Sequence, residues 1–314
     1  MITWLTFSLT FTFDVRSLSP HENVAEYIYH NEEQRSMSKL IAHYTKLETA
    51  ANDILPIEAI RISMGSFLRF DDSKETKAWH FNIEGEIANQ LFHEKRISDE
   101  IKQHFGAICF SSGIEREVNG FNFNRGDYKP RMWAQYGDNS KGVCLVFDRE
   151  KLLTLAHNQF DDIGLVFSDD VQYFDVGELP NFRDDEITLS PENIMQESYN
   201  DIANRILEPE HRVPYFFFKH NDWESEQEFR IIVYMTYRPE DLYLHFNDAL
   251  VGITFGCDCS PTEFQNNSAD EDELRNNLNA YNCILDYCHL HSRELDYSRI
   301  RWTNGYPSTD PTLQ

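Results

Sequence analysis

The chain has 314 residues, of which 41% are hydrophobic and 14% aromatic, so it can bury a large core and is not typical of a disordered acidic protein. Its formal net charge of −25, from 53 acidic and 28 basic residues, gives an average surface field that repels phosphate backbones and anionic lipid headgroups. Generic nucleic-acid binding is therefore disfavoured. A cationic stretch with Arg125, Lys129 and Arg131 indicates either a solvated loop or a local basic cleft.

Cysteine usage and the apolar opening bear on the location of the protein. Six cysteines are too few for a disulfide scaffold in a chain of this length. The apolar residues 1–13 lack the basic region of a secretory signal and are too short to span a bilayer. The sequence therefore predicts reduced thiols and a cytoplasmic protein without a membrane segment.

Two alternatives stay open for the opening itself, in which Phe7, Leu9, Phe11 and Phe13 alternate with polar residues. It is either a strand added to the sheet or upstream sequence ahead of a domain that begins near Met37. We accordingly divide the chain into an extension (1–36), a main domain (37–262) and a C-terminal part (263–314) with an acidic surface loop over 263–272, a helix and a frayed tail over 304–314.

Hydrophobic periodicity predicts the elements of the main domain in chain order. Strands are expected at 40–44, 60–62, 107–110, 142–147, 171–174, 229–237, 242–246 and 251–255. Helices are expected at 47–55, with Thr45 as N-cap, and at 83–105, 149–158, 193–207 and 273–280. The irregular mixture lacks a glycine-rich nucleotide-binding fingerprint, so it predicts an α+β fold and not a doubly wound sheet.

The first motif is Arg-Met-Trp-Ala-Gln-Tyr-Gly at 131–137, followed by the strand-like Lys-Gly-Val-Cys-Leu-Val-Phe-Asp at 141–148. Trp133 and Tyr136 are three residues apart, which on a helical turn makes their rings neighbours. Such a pair either packs in the core, the commoner case, or sandwiches a flat ligand.

The second motif is Trp-Glu-Ser-Glu-Gln-Glu-Phe-Arg-Ile-Ile at 223–232. On a strand, Glu226, Glu228, Arg230 and Ile232 would share one face. This pattern predicts either a structural ion pair between Glu228 and Arg230 or an acidic pair in a cleft that binds a cationic or sugar-hydroxyl transition state.

The third motif, His43-Tyr44-Thr45, lies at the end of a predicted strand and ahead of a predicted helix. A lone histidine on an apolar strand is usually a core residue. Together with the later Glu-x-Glu strand, however, this donor-rich triplet is suited to holding a ribose and positioning a carboxylate.

Cys257, Cys259, Cys283, Cys288 and the histidines that follow are potential metal ligands. Their spacing is not a standard zinc pattern, and on a helix Cys283 and His289 would lie apart, so no metal site is predicted. Phosphodiester chemistry is disfavoured by the acidic surface and by the lack of a carboxylate set at metal spacing beyond residues 71–75.

The order of these motifs, together with Asp-Ser-Lys-Glu at 72–75 and Cys-Phe-Ser at 109–111, resembles the domain-of-unknown-function family 2971, which is common in bacteria. The resemblance runs from His43 to Gly256. A more distant resemblance is to NAD-dependent ADP-ribosyltransferases, which include toxin and phage-defence enzymes, in the order of a His-Tyr-Thr strand, an aromatic strand and a Glu-x-Glu strand.

The distant resemblance implies an α+β fold with a split, mostly antiparallel mixed sheet and helical insertions. It implies NAD as the bound small molecule and an acceptor of the ADP-ribosyl group. His43 would bond the adenosine-side ribose with help from its neighbours Tyr44 and Thr45, and Tyr136 or Trp133 would stack on nicotinamide.

The same resemblance assigns the late strand to catalysis. Glu228 would hold the nicotinamide ribose and stabilise an oxocarbenium-like transition state, Glu226 would orient the acceptor, and Arg230 would contact a phosphate or lock Glu228. The alternative is a non-catalytic binding or regulatory module, in which these motifs are structural and the acidic surface recruits a basic partner.

Overall fold

Half of the described strands join one large sheet in the computed structural model, and helices pack against it. The structure describes residues 39–70, 73–84, 90–113, 117–118, 121–122, 126–175, 187–190, 194, 199–237, 241–303 and 306–310. The predictions for the opening segment fall outside these residues, as do those for Arg125 and for residues 71–72.

The strands are β1 (Leu40–Thr45), β2 (Ala59–Ile62), β3 (Asn82–Ile83), β4 (Phe105–Ser112), β5 (Glu117–Val118), β6 (Phe121–Asn122), β7 (Val143–Asp148), β8 (Leu165–Asp170), β9 (Gln172–Phe174), β10 (Thr188–Leu189), β11 (Phe218–His220), β12 (Glu228–Tyr234), β13 (Leu242–His245), β14 (Leu250–Phe255), β15 (Asp296–Thr303) and β16 (Tyr306–Asp310).

The α-helices are α1 (Leu47–Thr49), α2 (Ser73–Thr76), α3 (Gln90–Lys102), α4 (Pro130–Gln135), α5 (Arg149–Phe160), α6 (Tyr199–Ile206), α7 (Pro209–Phe216), α8 (Pro261–Asn267) and α9 (Glu271–Leu290). Helix α1 continues as a π-helical turn, Ala50–Ile54, and a 3-10 turn, Leu55–Ile57. Further 3-10 turns are Ser66–Leu68, Gly126–Tyr128, Asn221–Glu226 and Asn247–Ala249.

The main sheet has eight strands in the order β16-β15-β14-β7-β1-β4-β12-β8. Only the β14–β15 pair is parallel, and the remaining six ladders of the sheet are antiparallel. Helices and strands do not alternate regularly along the chain. The α+β class predicted from the sequence is therefore confirmed, with a large mixed sheet that is mostly antiparallel.

Side chains alternate across the main sheet and fill apolar clusters on both faces. On the first face, Ile41, Leu145 and Ile231 pack with helices that include α9 through Ile284. On the second face, β12 contributes Ile232 to an aromatic cluster. A smaller cluster on that face contains Tyr44, Val146, Trp133, Met132 and Ile300.

Strands β1 and β4 pair over a short stretch and then part. Their ladder consists of the pairs Ile41–Ser112 and Ala42–Ser111, whereas β1 pairs with β7 along its whole length. Beyond Ala42, the side chain of His43 spans the gap, because its ring nitrogen Nδ1 lies 3.1 Å from the carbonyl oxygen of Cys109. The gap creates a cleft inside the sheet.

Several local predictions need correction. Thr45 is the last residue of β1, and Lys46 takes the N-cap position of α1 with no side-chain hydrogen bond. The predicted loop over 263–272 instead contains the end of α8 and the start of α9, capped by Ser260 and Asp270 through hydrogen bonds to backbone N–H groups. The predicted frayed tail contains β16, which pairs with β15 and so continues the sheet.

None of the helices in the described ranges combines the length and the hydrophobicity needed to cross a membrane. Residues Met37–Gln314 form one compact unit.

Candidate functional site

The gap between β1 and β4 opens into a cleft of about 740 Å³. Both faces of the sheet contribute to its walls, because successive residues of β1 and β4 point in opposite directions. Most of the sequence-predicted site residues line it: His43, Tyr44, Thr45, Tyr136, Glu226, Glu228 and Arg230. The three motifs, which are far apart in the sequence, therefore meet at one place.

Trp133 is the exception among the predicted site residues. It is 1% exposed, packs edge-on against Tyr44 with ring centroids 5.0 Å apart, and donates its indole N–H to the carbonyl oxygen of Asp127. The sequence left two interpretations open for this residue, and the structure shows core packing. The prediction that Trp133 stacks on a ligand is wrong, because its ring is enclosed by the apolar cluster of the second face.

The hydroxyl group of Tyr44 is similarly committed to the fold. It donates a hydrogen bond of 2.6 Å to the carbonyl oxygen of Gly126 and accepts one of 3.3 Å from the backbone N–H of Lys129. Burial raises the pKa of this phenol well above its ordinary value. Tyr44 therefore offers the cleft a ring surface and holds the Gly126–Tyr128 turn in place.

Arg230 is the centre of a buried group of ion pairs. Its Nε and Nη2 atoms donate to the two carboxylate oxygens of Glu228 at 2.7 and 2.9 Å. Its Nη1 atom lies 2.5 Å from a carboxylate oxygen of Glu75 and 2.6 Å from the carbonyl oxygen of Phe216. Each of the three guanidinium nitrogens thus donates to a partner, and the side chain is 1% exposed.

Lys219 joins the same group from the neighbouring strand β11. Its Nζ atom lies 2.8 Å from Glu228, 2.9 Å from Glu226 and 3.7 Å from Glu75. We call Glu75, Glu226, Glu228, Lys219 and Arg230 the ion-pair network. When all five are ionised, its carboxylates outnumber its cations by one, so the network favours a positive charge on a bound ligand.

Burial and charge pull the pKa values within the ion-pair network in different directions. Burial opposes the charge on Glu228, but Arg230 and Lys219 outweigh it and lower its pKa to about 2. Burial raises the pKa of Glu75, which shares Arg230 and also faces the charge of Glu228. Burial works against the charge on Lys219 as well, but the surrounding carboxylates raise its pKa above the ordinary value. Of Glu75 and Glu228, Glu75 is therefore the one that takes up a proton first as the pH falls.

Glu226 is placed in the cleft by a turn of the backbone, and not by the alternation of side chains along a strand. It ends the 3-10 turn Asn221–Glu226, and β12 begins only at Glu228. Gln227 between them has φ 43°, in the left-handed region, and its backbone N–H donates to the carbonyl of Glu224 at 3.0 Å. The prediction of one strand face for Glu226 and Glu228 is corrected: the turn at Gln227, and not period two, brings their carboxylates together.

Tyr136 and Lys129 hold Glu226 from the other side. The phenol of Tyr136 donates to Glu226 Oε1 at 3.0 Å, and Nζ of Lys129 donates to the backbone carbonyl of Glu226 at 2.8 Å and to that of Ser112 at 2.7 Å. Burial lowers the pKa of Lys129 to about 7. The sequence interpretation of Lys129 as part of a solvated loop is therefore wrong, because its amine is engaged by backbone carbonyls.

His43 is held as a neutral acceptor. The carbonyl oxygen of Cys109 can only accept, so the proton lies on Nδ1 and the other ring nitrogen, Nε2, has a free lone pair. Burial lowers the pKa of His43, which favours this neutral form. The ring also packs edge-on against Phe110 at 5.8 Å. His43 can thus accept a hydrogen bond from a hydroxyl group in the cleft.

Sequence reasoning missed Lys219 and Trp223 as site residues. Lys219 follows four consecutive aromatic residues, and a charge in so apolar a run needs a buried partner, which is a usable signal. Trp223 lines the cleft with Nζ of Lys219 5.2 Å from its ring centre and the guanidinium of Arg131 at 4.9 Å. Its ring thus packs against two cations.

A group of potential metal ligands exists elsewhere. Within the described ranges, the carboxylates of Glu208 and Glu210 and the ring of His211 have ligand atoms within 4.8 Å of one another, and none of the cysteines belongs to such a group. Cys259 and Cys288 are buried in the apolar core of the first face. These two cysteines thus contribute to packing.

Fold and site define an α+β protein with a charged, ligand-sized cleft between two diverging strands of its main sheet. Residues 132–231 match the model of a family described as "Protein of unknown function (DUF2971)", which supports the resemblance to that family. The matched part runs from the Met-Trp-x-x-Tyr-Gly motif to β12 and includes Tyr136, Lys219, Glu226, Glu228 and Arg230. No curated protein and no solved structure matches the chain.

Proposed function

We propose that the cleft binds NAD and that the protein cleaves the bond between nicotinamide and ribose, passing the ADP-ribosyl group to an acceptor molecule or to water. This is the chemistry of ADP-ribosyltransferases, including toxin and phage-defence enzymes. The observation that carries the proposal is the parting of β1 and β4, because it brings His43 and Thr45 into one cleft with Glu226 and Glu228.

The reaction needs negative charge beside the ribose. As the bond from C1′ to the nicotinamide nitrogen breaks, its electron pair neutralises the pyridinium ring and leaves positive charge on the sugar. A nearby carboxylate stabilises this oxocarbenium-like transition state electrostatically. The excess carboxylate of the ion-pair network favours both the pyridinium of the substrate and the cationic sugar, in a site with little water to screen them.

Individual roles follow from the donors and acceptors at the walls. Glu228 holds the nicotinamide ribose and stabilises the cation. Glu226, whose carboxylate already accepts from Tyr136, orients the acceptor and takes its proton as the new bond to C1′ forms. The neutral Nε2 of His43 accepts from a hydroxyl of the adenosine-side ribose, and Thr45 assists it.

The contacts of Arg230 favour the locking role over the phosphate-binding role. Glu228, Glu75 and a backbone carbonyl take four of its five N–H groups, and the side chain is 1% exposed, so little of it is left for a phosphate. Its effect on catalysis would then be exerted through Glu228, which it holds ionised and in one rotamer.

The test is nicotinamide release from NAD by the purified full chain, compared between wild type and Glu228→Gln. Asp170→Asn is the matched control, because it also removes a carboxylate from an arginine, Arg149, and neither residue lines the cleft. We expect release by the wild type and by Asp170→Asn, and a loss of about 100-fold or more for Glu228→Gln. Full activity in a folded Glu228→Gln protein would remove the assigned role, and no release together with no NAD binding by calorimetry would overturn the proposal.

A second candidate is a non-catalytic binding or regulatory module. The observation that favours it is that Glu228 has both carboxylate oxygens occupied by Arg230 and one also by Lys219, as in a structural ion pair. In this case Glu228→Gln would lower the melting temperature and Glu75→Gln would do the same, with no NAD-dependent reaction in any variant. An unchanged melting temperature for Glu228→Gln would count against the module.

A further inference from the structure

Four cationic side chains of the described residues line the cleft: Arg61, Arg69, Lys219 and Arg230. Lys219 and Arg230 are neutralised within the ion-pair network. Arg61 is paired with Asp241, to which its Nε donates at 2.6 Å. Arg69 differs from the other three, because within the described residues it has no carboxylate partner.

Arg69 is nevertheless held in place. Its Nη2 atom donates to Ser63 Oγ and to the carbonyl oxygen of Met64, both at 2.7 Å. Both partners are neutral, so they fix the side chain without cancelling its charge. Toward the other described residues, Nε and Nη1 remain as donors on a positioned cation that lines the cleft.

The surrounding wall is built on the end of β2. Asp241 accepts from Arg61 through Oδ2 and from the backbone N–H of Met64 through Oδ1 at 3.3 Å. It thereby links the side chain of Arg61 to the backbone that follows β2. Asp53 also lines the cleft, and its negative charge acts on Arg61. Among the residues that the structure describes, Arg69 is therefore the cation of this wall that has no carboxylate partner.

Two apolar side chains of the same cleft face water. Tyr243 is 46% exposed and Ile57 is 45% exposed, and Tyr243 lies opposite Arg61 in the pairing of β13 with β2. An exposed aromatic ring in a cleft offers a flat surface on which a planar ligand can stack. A cation with available donors and an exposed ring in one cleft suit a phosphate group attached to a flat base.

We infer that Arg69 binds the diphosphate of a nucleotide whose base lies against Tyr243 and Ile57. The inference rests on the proposed function in one respect, which is the orientation of NAD. The adenosine diphosphate part of NAD lies at this wall, and its nicotinamide lies at the ion-pair network. The cleft then has opposite charge preferences at its two ends, matching an anionic diphosphate and a cationic pyridinium.

The test is calorimetric binding of ADP to the full chain, which requires no turnover. We expect wild type to bind ADP and Arg69→Gln to bind it about tenfold more weakly, as for loss of a charge-assisted hydrogen-bond pair. The matched control is Arg61→Gln, which removes an equal charge that Asp241 already neutralises, and we expect a smaller loss. Tyr243→Ala should weaken ADP binding but leave pyrophosphate binding unchanged.

Equal ADP affinity in wild type and Arg69→Gln, or no ADP binding by the wild type, would overturn the inference. Nicotinamide release measured in parallel separates the two proposals. ADP binding that depends on Arg69 without any nicotinamide release would sustain the nucleotide site and refute NAD cleavage. NAD cleavage with an unchanged KM in Arg69→Gln would sustain the function and refute the site.

Discussion

Glu228 and Arg230 lie two residues apart on β12 and bind each other through two parallel hydrogen bonds, of 2.7 and 2.9 Å, on the second face of the main sheet. Glu228 is 5% exposed and Arg230 is 1% exposed. Removing one partner of a buried pair leaves the other charge without compensation, and that costs more than the pair contributes when intact. The ion-pair network is therefore sensitive to any single change.

Lys219→Met should destabilise the protein strongly. Lys219 contacts three carboxylates, and its loss leaves them facing one another with only Arg230 as a counter-charge. We expect the free energy of unfolding, measured by urea titration, to fall by about 3–5 kcal/mol. Lys151→Met is the control, since its pair with Asp248 is exposed and screened by water, so we expect a much smaller loss. Similar effects for the two variants would contradict a buried network.

Tyr136→Phe should separate activity from stability. The change removes the hydroxyl that donates to Glu226 and keeps the ring, so we expect a loss of about 0.5–1.5 kcal/mol in stability and a clear loss of NAD turnover. Tyr173→Phe is the control, because its hydroxyl accepts from the backbone N–H of Glu228 and does not line the described cleft. Nicotinamide release and thermal unfolding would be measured for both. Equal loss of turnover in both variants would contradict a role of the Tyr136 hydroxyl in the cleft.

Acid should destabilise the wild type through Glu228. The pKa of this group is depressed in the folded state, from about 4.5 to about 2, because Arg230 and Lys219 outweigh burial. Its contribution to stability is therefore complete above about pH 4.5 and is lost as the pH falls towards about 2. Urea titrations across the acid range should show a shallower dependence in Glu228→Gln. A slope identical to that of the wild type would show that Glu228 is not paired in solution.

Gly256→Ala should destabilise the protein although Gly256 does not line the cleft. A Cβ atom at Gly256 would lie 2.0 Å from the carbonyl oxygen of Ser140, which is backbone and cannot move aside cheaply. We expect a loss of about 1–3 kcal/mol in urea titration. Gly252→Ala is milder, since its nearest contact would be 3.3 Å from Asp296, and an equal effect of both changes would contradict the close approach at Gly256.

Local pattern predicted the central strands well because their apolar residues are continuous or alternate. The expected strands at 40–44, 142–147 and 229–237 correspond to β1, β7 and β12. Period two also predicted that Glu228 and Arg230 share a face. The C-terminal part was harder to predict, since helix α8 and strand β16 are short and polar and are stabilised by caps and by pairing with β15.

The positions of the site residues, too, could be predicted only in part from the local sequence. Lys129 has an ordinary local sequence, and its burial follows from a contact with Glu226, 97 residues away. The aromatic run before Lys219 indicates a buried partner, but only the fold identifies that partner as Glu226. Trp133 and Tyr136 are three residues apart and look equivalent in the sequence, yet one is in the core and the other lines the cleft. The difference arises because Trp133 lies within α4 and is enclosed by the apolar cluster of the second face. Tyr136 is the residue that ends this helix, and it packs against the outside of the cluster with its hydroxyl at Glu226.

The sequence by itself determined the α+β class, the main strands and the residue types of the candidate site, because these depend on periodicity and composition over a few neighbouring residues. Tertiary structure alone decided that β1 and β4 part after two residue pairs, that Gln227 turns Glu226 towards Glu228, and that Glu75 and Lys219 complete the ion-pair network. These features depend on strand order and on buried charges finding partners from distant segments, and no local pattern encodes either.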